Sequence, residues 1–120
     1  QQFSQFFMPD LKHSSFSIIV TTVNSSSEAE KLSNHLVKNK LAACVNIIGP
    51  VTSVYNWKNN IENSREYVLW IKTLTNNVSS VSKIIRSLHS YDVPEIISFP
   101  FKSHNDDYSK WICDIFSKEV

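Results

Sequence analysis

The chain has 120 residues, 42% of them hydrophobic and 12% aromatic. This length and composition are enough to form one compact core without stabilising disulfides or metal ions. Its 12 Lys and Arg residues nearly balance its 11 Asp and Glu residues, and a net charge of +1 argues against nucleic acid as the main partner. No apolar run of about 18 residues is present to span a membrane, and Cys44 and Cys113 form no Cys-x-x-Cys motif.

The N-terminal segment lacks the charged-then-apolar order of a signal peptide. We predict a disordered tail over residues 1–15 and a single domain over residues 16–120. Two unpaired cysteines fit a reducing compartment, where both would serve as small buried hydrophobes. The expected location is therefore the cytoplasm, or an organelle if the N-terminus has been processed.

The first two elements are a strand and a helix. Residues 16–23 are apolar and β-branched, which predicts a strand. A helix follows, and its capping box begins either at Ser27 with Glu30 or at Ser25 with Glu28. Helical spacing predicts an apolar face, made of Ala29, Leu32, Leu36 and Val37.

A long hairpin comes next. Residues 42–57 form the predicted second strand, which is bent at Gly49-Pro50 because proline cannot donate to a strand ladder. Residues 58–60, Lys-Asn-Asn, form the turn, since asparagine tolerates positive φ. The third strand covers residues 61–73.

The remaining elements are two helices and a strand. Helical spacing of Val78, Val81, Ile85 and Leu88 predicts a second helix that ends near His89. A fourth strand is predicted over residues 95–101. The last helix has a predicted apolar stripe of Tyr108, Trp111, Ile112, Ile115 and Phe116. The order βαββαβ plus a terminal helix predicts an α+β, ferredoxin-like sandwich with two helices on one face of an antiparallel sheet.

The run Tyr-Val-Leu-Trp-Ile at residues 67–71 predicts association between chains. Successive strand side chains point to opposite faces, so five apolar residues in succession need cover on both faces of the sheet. The hairpin carries more apolar area than a domain of this size can bury, which favours an obligate oligomer. We expect a homotrimer packed around an axis, with a two-fold dimer as the alternative.

Several ordered motifs resemble the CutA divalent-ion tolerance family over residues 16–116. They are Lys40-Leu41-Ala42-Ala43-Cys44-Val45-Asn46, Ser53-Val54-Tyr55-Asn56-Trp57, Ile61-Glu62, Glu66, Lys72-Thr73, His89-Ser90-Tyr91-Asp92-Val93-Pro94-Glu95-Ile96, Tyr108 and Trp111. The resemblance implies a ferredoxin-like homotrimer, similar in build to PII signalling proteins, that binds copper and other divalent metals.

Three departures from the family pattern bear on function. Asn59-Asn60 stands where relatives carry Gly-Lys, and His-Ser-Tyr replaces His-Pro-Tyr at Ser90. Thr21 stands where copper-linked bacterial members carry a cysteine, and a hydroxyl is a much poorer copper ligand than a thiolate. The expected cofactor is therefore Cu(II) or another divalent metal, bound with low affinity.

The predicted metal ligands are His89 and Glu95, six residues apart across a turn that ends in Pro94. An imidazole and a carboxylate suit copper, zinc and nickel. The alternative is that His89 only caps the end of the second helix, where the dipole favours a cation.

The predicted trimer would bring hairpin residues of one chain to the turn before the fourth strand of the next, forming clefts that can hold a small ligand. The residues expected to bind it are Tyr55, Trp57, Lys72, Tyr91 and Tyr108, beside Glu66 and Trp111. The alternative is that the aromatic residues are only interface anchors, which we favour for Trp57, Trp70 and Trp111.

Catalytic motifs are absent from the sequence: it has no Gly-x-Ser-x-Gly elbow, no His-Glu-x-x-His helix and, with one glycine, no phosphate-binding loop. We predict a homotrimeric, non-enzymatic protein that binds divalent metal, copper included, in metal tolerance or response. The alternative is a PII-like signalling or assembly scaffold with a small effector in the clefts between subunits.

Overall fold

A computed structural model describes residues 15–117 of the chain. The predicted disordered tail therefore lies outside the described residues, except for Ser15, as do residues 118–120 of the predicted domain. The carbonyl oxygen of Ser15 accepts a hydrogen bond from the Thr75 N–H at 2.7 Å, so Ser15 is joined to the end of the sheet.

The described residues form four strands and three α-helices. In chain order these are β1 (Phe16–Val23), α1 (Ser26–Lys38), β2 (Cys44–Trp57), β3 (Asn60–Leu74), a short 3₁₀ turn (Thr75–Asn77), α2 (Val78–Leu88), β4 (Ile97–Phe101) and α3 (Asp106–Phe116). The sheet order is β2-β3-β1-β4, and each neighbouring pair is antiparallel. The α+β class and the element order predicted from sequence are confirmed.

Element boundaries differ from the predictions by a few residues. The Ser25 hydroxyl accepts the Glu28 N–H at 3.1 Å, so α1 begins from Ser25 and the frame that starts at Ser27 is wrong. Val37, expected on the apolar face, is exposed. The strands β2 and β4 each begin two residues later than predicted.

The main core lies between one face of the sheet and the helices α1 and α2. The strand residues on this face alternate with those on the other face, as the two-residue period of a strand requires. The buried members of this core are Ile19, Val23, Ala29, Leu32, Leu36, Ala42, Leu69, Ile71, Val81 and Ile85.

The helix α3 covers one end of the opposite face of the sheet. Ile112 and Cys113 pack there against Phe16, whose ring stacks on Phe101 with 5.4 Å between centroids. This face was expected to be uncovered, but α3 shields the part near Phe16. Trp111, predicted in the apolar stripe, is instead 46% exposed.

The rest of this second face stays partly open. Within the run at 67–71, Leu69 and Ile71 are buried beneath the helices, whereas Val68 and Trp70 point to the second face and are half-buried. Trp70 meets the exposed Phe99 of β4 edge to face, with 5.6 Å between ring centroids. The single chain therefore buries Leu69 and Ile71 on the helix face and covers the second face of this run only partly.

Beyond the end of β1, residues 51–66 continue as a two-stranded ribbon, which we call the hairpin arm. Its turn places Lys58 and Asn59 at positive φ, as a two-residue hairpin turn requires. Its base lies at a register shift between Ile48 and Val51, where Gly49 and Pro50 were predicted to bend the strand. None of the helices within residues 15–117 has the length and hydrophobicity needed to cross a membrane.

Candidate functional site

The loop over residues 89–96 joins α2 to β4 and carries both predicted metal ligands. His89 lies at its start, where both ring nitrogens are hydrogen-bonded. Its Nε2 donates to the Thr22 carbonyl oxygen at 2.7 Å, and its Nδ1 accepts the Tyr91 N–H at 3.0 Å. Because a carbonyl can only accept and an amide N–H can only donate, these partners select the tautomer that carries its proton on Nε2.

Tyr91 ties the loop to the base of the hairpin arm. Its hydroxyl donates to Glu66 Oε2 at 2.7 Å, and Glu66 is buried with 8% exposure. The Tyr91 ring lies against the His89 ring, with centroids 4.7 Å apart. Burial, the hydrogen bond to Glu66 and the charge of that carboxylate raise the pKa of Tyr91 well above its usual value, and Glu28 and Tyr55 add smaller effects in the same direction. Tyr91 is therefore a neutral hydrogen-bond donor throughout the physiological pH range.

A third connection joins the loop to the start of α1. The Ser90 N–H donates to Glu28 Oε2 and the Ser90 hydroxyl donates to Glu28 Oε1, both at 3.1 Å. Sequence reasoning missed this contact, because Glu28 was considered only as part of a capping box. The only sequence signal is the serine itself, which has two donors where the family pattern has a proline with none.

The predicted metal ligands do not form a complete site in one chain. Glu95 is exposed, whereas both His89 nitrogens already have partners, so a metal at His89 requires the loss of one hydrogen bond. Within residues 15–117, no three His, Cys, Asp or Glu side chains gather closely enough to hold a metal ion. Thr21, at the position of the family cysteine, is fully buried. The ligand roles of His89 and Glu95 stay predictions.

Two of the five predicted ligand-binding residues, Tyr55 and Tyr91, interact electrostatically. Tyr55 is the smallest of the causes that raise the pKa of Tyr91. Tyr55 lies exposed on the hairpin arm, where its hydroxyl shares a hydrogen bond of 2.7 Å with Ser64. Trp57 is exposed at the end of the arm, with the Lys58 Nζ 5.8 Å from its ring centroid.

The other two residues lie elsewhere in the chain. Lys72 is half-buried on the second face of the sheet, where it pairs in register with Ile18 and Cys44. It is six positions along β3 from Glu66, which corresponds to about 20 Å of strand. Tyr108 packs on the Phe16 end of that face and stacks on Trp111. A single chain thus leaves Lys72 and Tyr108 apart from the residues of the hairpin arm, and a cleft shared by all five needs a second copy.

Comparison with known proteins gives a consistent result. The family model described as CutA1 divalent ion tolerance protein matches residues 17–114. The curated "Protein CutA homolog" of Xenopus laevis is 42% identical over 101 residues, which cover 84% of this chain and 67% of that protein. The chloroplastic protein CutA of Arabidopsis thaliana is 36% identical over 79% of this chain, and the match spans only 52% of its length. The chain thus spans about half the length of that plant relative.

Solved structures share the fold. The crystal structure of the divalent ion tolerance protein CutA1 from Ehrlichia chaffeensis superposes with a TM-score of 0.81 at 35% identity, covering 87% of this chain and 97% of that one. The family model, at residues 17–114, includes both the 89–96 loop and the hairpin arm.

Proposed function

We propose that this chain, which belongs to the CutA1 divalent ion tolerance family, is a homotrimeric, non-catalytic protein that binds divalent metal ions, copper among them, in metal tolerance or response. Its two free cysteines fit action in a reducing compartment such as the cytoplasm.

The observation that carries the assembly in this proposal is the exposed apolar surface of the hairpin arm, whereas the metal role rests on the family match. Val54 and Ile61 are 65% and 71% exposed, and Tyr55 and Trp57 are exposed beside them. An isolated two-stranded ribbon is marginally stable in water, and its apolar side chains gain free energy only when another surface covers them. Three copies that exchange these contacts would bury the arms together with the open part of the second face.

In the proposed trimer, the arm of one copy reaches the 89–96 loop of the next. The clefts formed in this way include Tyr55 and Trp57 from the arm with Lys72, Tyr91 and Tyr108. A half-buried lysine supports a binding role, because a cation at an interface costs several kcal/mol unless an anion pairs with it.

Divalent metal binds, in this proposal, at Glu95 and His89. The donor set of one chain is small: one exposed carboxylate, and one imidazole that is free only after a hydrogen bond opens. Water or a neighbouring copy must therefore complete the coordination, which predicts modest affinity. Cu(I) is disfavoured at this site, since soft cuprous ion selects sulfur ligands and neither His89 nor Glu95 supplies one.

Calorimetric titration with Cu(II) and Zn(II) tests the metal role. Glu95→Gln and His89→Gln should each weaken Cu(II) binding by about tenfold or more, because each removes one donor. Glutamine at position 89 retains an N–H donor that can serve the Thr22 carbonyl, so the loop is disturbed less than by alanine.

His35→Gln is the matched control, because His35 is exposed on α1 and far in sequence from the loop. Titration curves that are identical for wild type and both loop variants would show that these residues are not ligands. Heat from small organic anions, with none from metals, would favour the effector-binding alternative instead.

A further inference from the structure

The contact between Glu28 and Ser90 joins residues 62 positions apart and engages both carboxylate oxygens. One oxygen accepts the backbone N–H of Ser90, and the other accepts its hydroxyl. Ser90 stands between His89 and Tyr91, whose own contacts go to β1 and β3. The loop is therefore held at three consecutive residues by three different elements.

Glu28 also occupies a favourable place in its own helix. It lies in the first turn of α1, where the unpaired N–H groups and the helix dipole stabilise negative charge. Hydrogen bonds to an ionised acceptor are about twice as strong as neutral ones. The exposed Ser90 is thus fixed by two such bonds rather than by the ring of a proline.

We propose that Glu28 is a positioning residue for the 89–96 loop, which holds Ser90 and thereby sets where Tyr91 and Glu95 stand. The inference has one consequence that rests on the proposed function: Glu28 controls metal affinity without contacting the metal. The carboxylate acts through Ser90. Its loss lets the segment from Ser90 to Glu95 move, so the bond from the Tyr91 N–H to His89 Nδ1 opens more often while His89 keeps its contact with the Thr22 carbonyl.

Amide hydrogen exchange of the full chain tests the positioning directly. Glu28→Gln removes the charge and one acceptor oxygen, and we expect the Ser90 and Tyr91 amides to exchange about tenfold faster. Glu30→Gln is the matched control, since it removes the same charge from the same helix at an exposed side chain. Unchanged exchange at residues 90 and 91 in Glu28→Gln, or an equal increase in Glu30→Gln, would overturn the proposal.

A double-mutant cycle separates positioning from a general effect on α1. Ser90→Pro removes both donors, so Glu28→Gln should change the exchange of Tyr91 no further in that background. Ser90→Ala keeps the N–H and removes the hydroxyl, so its effect should be intermediate. If Glu28→Gln has its full effect in both Ser90 backgrounds, Glu28 acts through the helix and not through the loop.

Cu(II) titration then tests the consequence for binding. Glu28→Gln should weaken Cu(II) binding about tenfold, equal to 1.4 kcal/mol, while Glu30→Gln should match the wild type. Faster exchange with unchanged Cu(II) affinity would refute control of affinity by Glu28. A wild type that takes up no Cu(II) would refute the proposed function, whereas the exchange rates would still decide whether Glu28 positions the loop.

Discussion

At the residue scale, the 89–96 loop is organised by polar contacts rather than by a core of its own. His89, Ser90 and Tyr91 reach a carbonyl oxygen and two carboxylates on three separate elements. The least exposed of these acceptors is Glu66, and a buried carboxylate is costly unless donors satisfy it. The Tyr91 hydroxyl is therefore expected to contribute both to stability and to its dependence on pH.

Tyr91→Phe should lower the free energy of unfolding by about 1–2 kcal/mol near neutral pH, because Glu66 loses a hydrogen-bond donor. The raised pKa of Tyr91 means that the folded state favours the protonated phenol. That stabilisation is complete below the pKa of 10.0 for an unperturbed tyrosine and is lost as the pH rises beyond it, since the unfolded phenol then ionises.

Urea denaturation at about pH 8 and about pH 11 measures this effect. The stability difference between wild type and Tyr91→Phe should be smaller at the higher pH, because phenylalanine cannot ionise. The other tyrosines and the lysines titrate in both proteins and cancel. A difference that is constant or larger at alkaline pH would contradict the role assigned to the Tyr91 proton.

At the element scale, the long hairpin depends on its one glycine. Gly49 has φ of +152°, a conformation that side chains with a Cβ rarely adopt. A Cβ at this position would lie 2.9 Å from Tyr67 Cδ2 and 3.0 Å from the Glu66 carbonyl oxygen. The register shift at this residue marks the base of the hairpin arm, so Gly49 fixes both the bend and the close approach of the two strands.

Gly49→Ala should lower the free energy of unfolding by about 1–3 kcal/mol, through backbone strain and the contact with Tyr67. Thr52→Ala is the control, because Thr52 is exposed on the same strand, and it should cost under about 1 kcal/mol. Thermal or urea denaturation of both variants gives the comparison. Equal stabilities would show that the bend accepts a Cβ without strain.

At the scale of the whole molecule, apolar surface remains uncovered at two places. One is the hairpin arm, and the other is the part of the second face that α3 leaves open around Trp70 and Phe99. Exposed apolar side chains that cluster in this way are typical of interaction sites. In the proposed trimer, both surfaces would be buried against neighbouring copies.

Multi-angle light scattering should give a mass three times the 13.8 kDa of one chain at micromolar concentration. Replacing both Val54 and Ile61 by threonine should shift the mass towards the monomer, since each loses about 1 kcal/mol of apolar burial per copy. Threonine is β-branched, so the ribbon itself keeps its strand preference.

Glu62→Thr serves as the control on the same strand, because Glu62 is an exposed polar residue of the arm. It should leave the mass unchanged. A monomeric wild type would refute the assembly altogether, and a dimeric one would favour the two-fold alternative.

The sequence by itself determined the elements and their order, because these follow from local patterns. A run of apolar and β-branched residues indicated β1, and helical spacing indicated α1 and α2. The proline and the asparagine turn marked the bend and the tip of the hairpin. The βαββαβ order also correctly predicted that two helices cover one face of the sheet. The ordered motifs identified the family over nearly the whole domain.

The tertiary structure alone decided the partners of the polar side chains. Glu28 and Ser90 are 62 residues apart, and no periodicity indicates that a carboxylate of α1 will meet a loop after α2. In the same way, only the folded chain shows that both His89 nitrogens are engaged and that α3 covers part of the second face. The burial pattern of a helix or strand follows from the spacing of apolar residues that are close in sequence. Hydrogen-bond partners depend instead on which distant elements the fold brings within about 3 Å of one another.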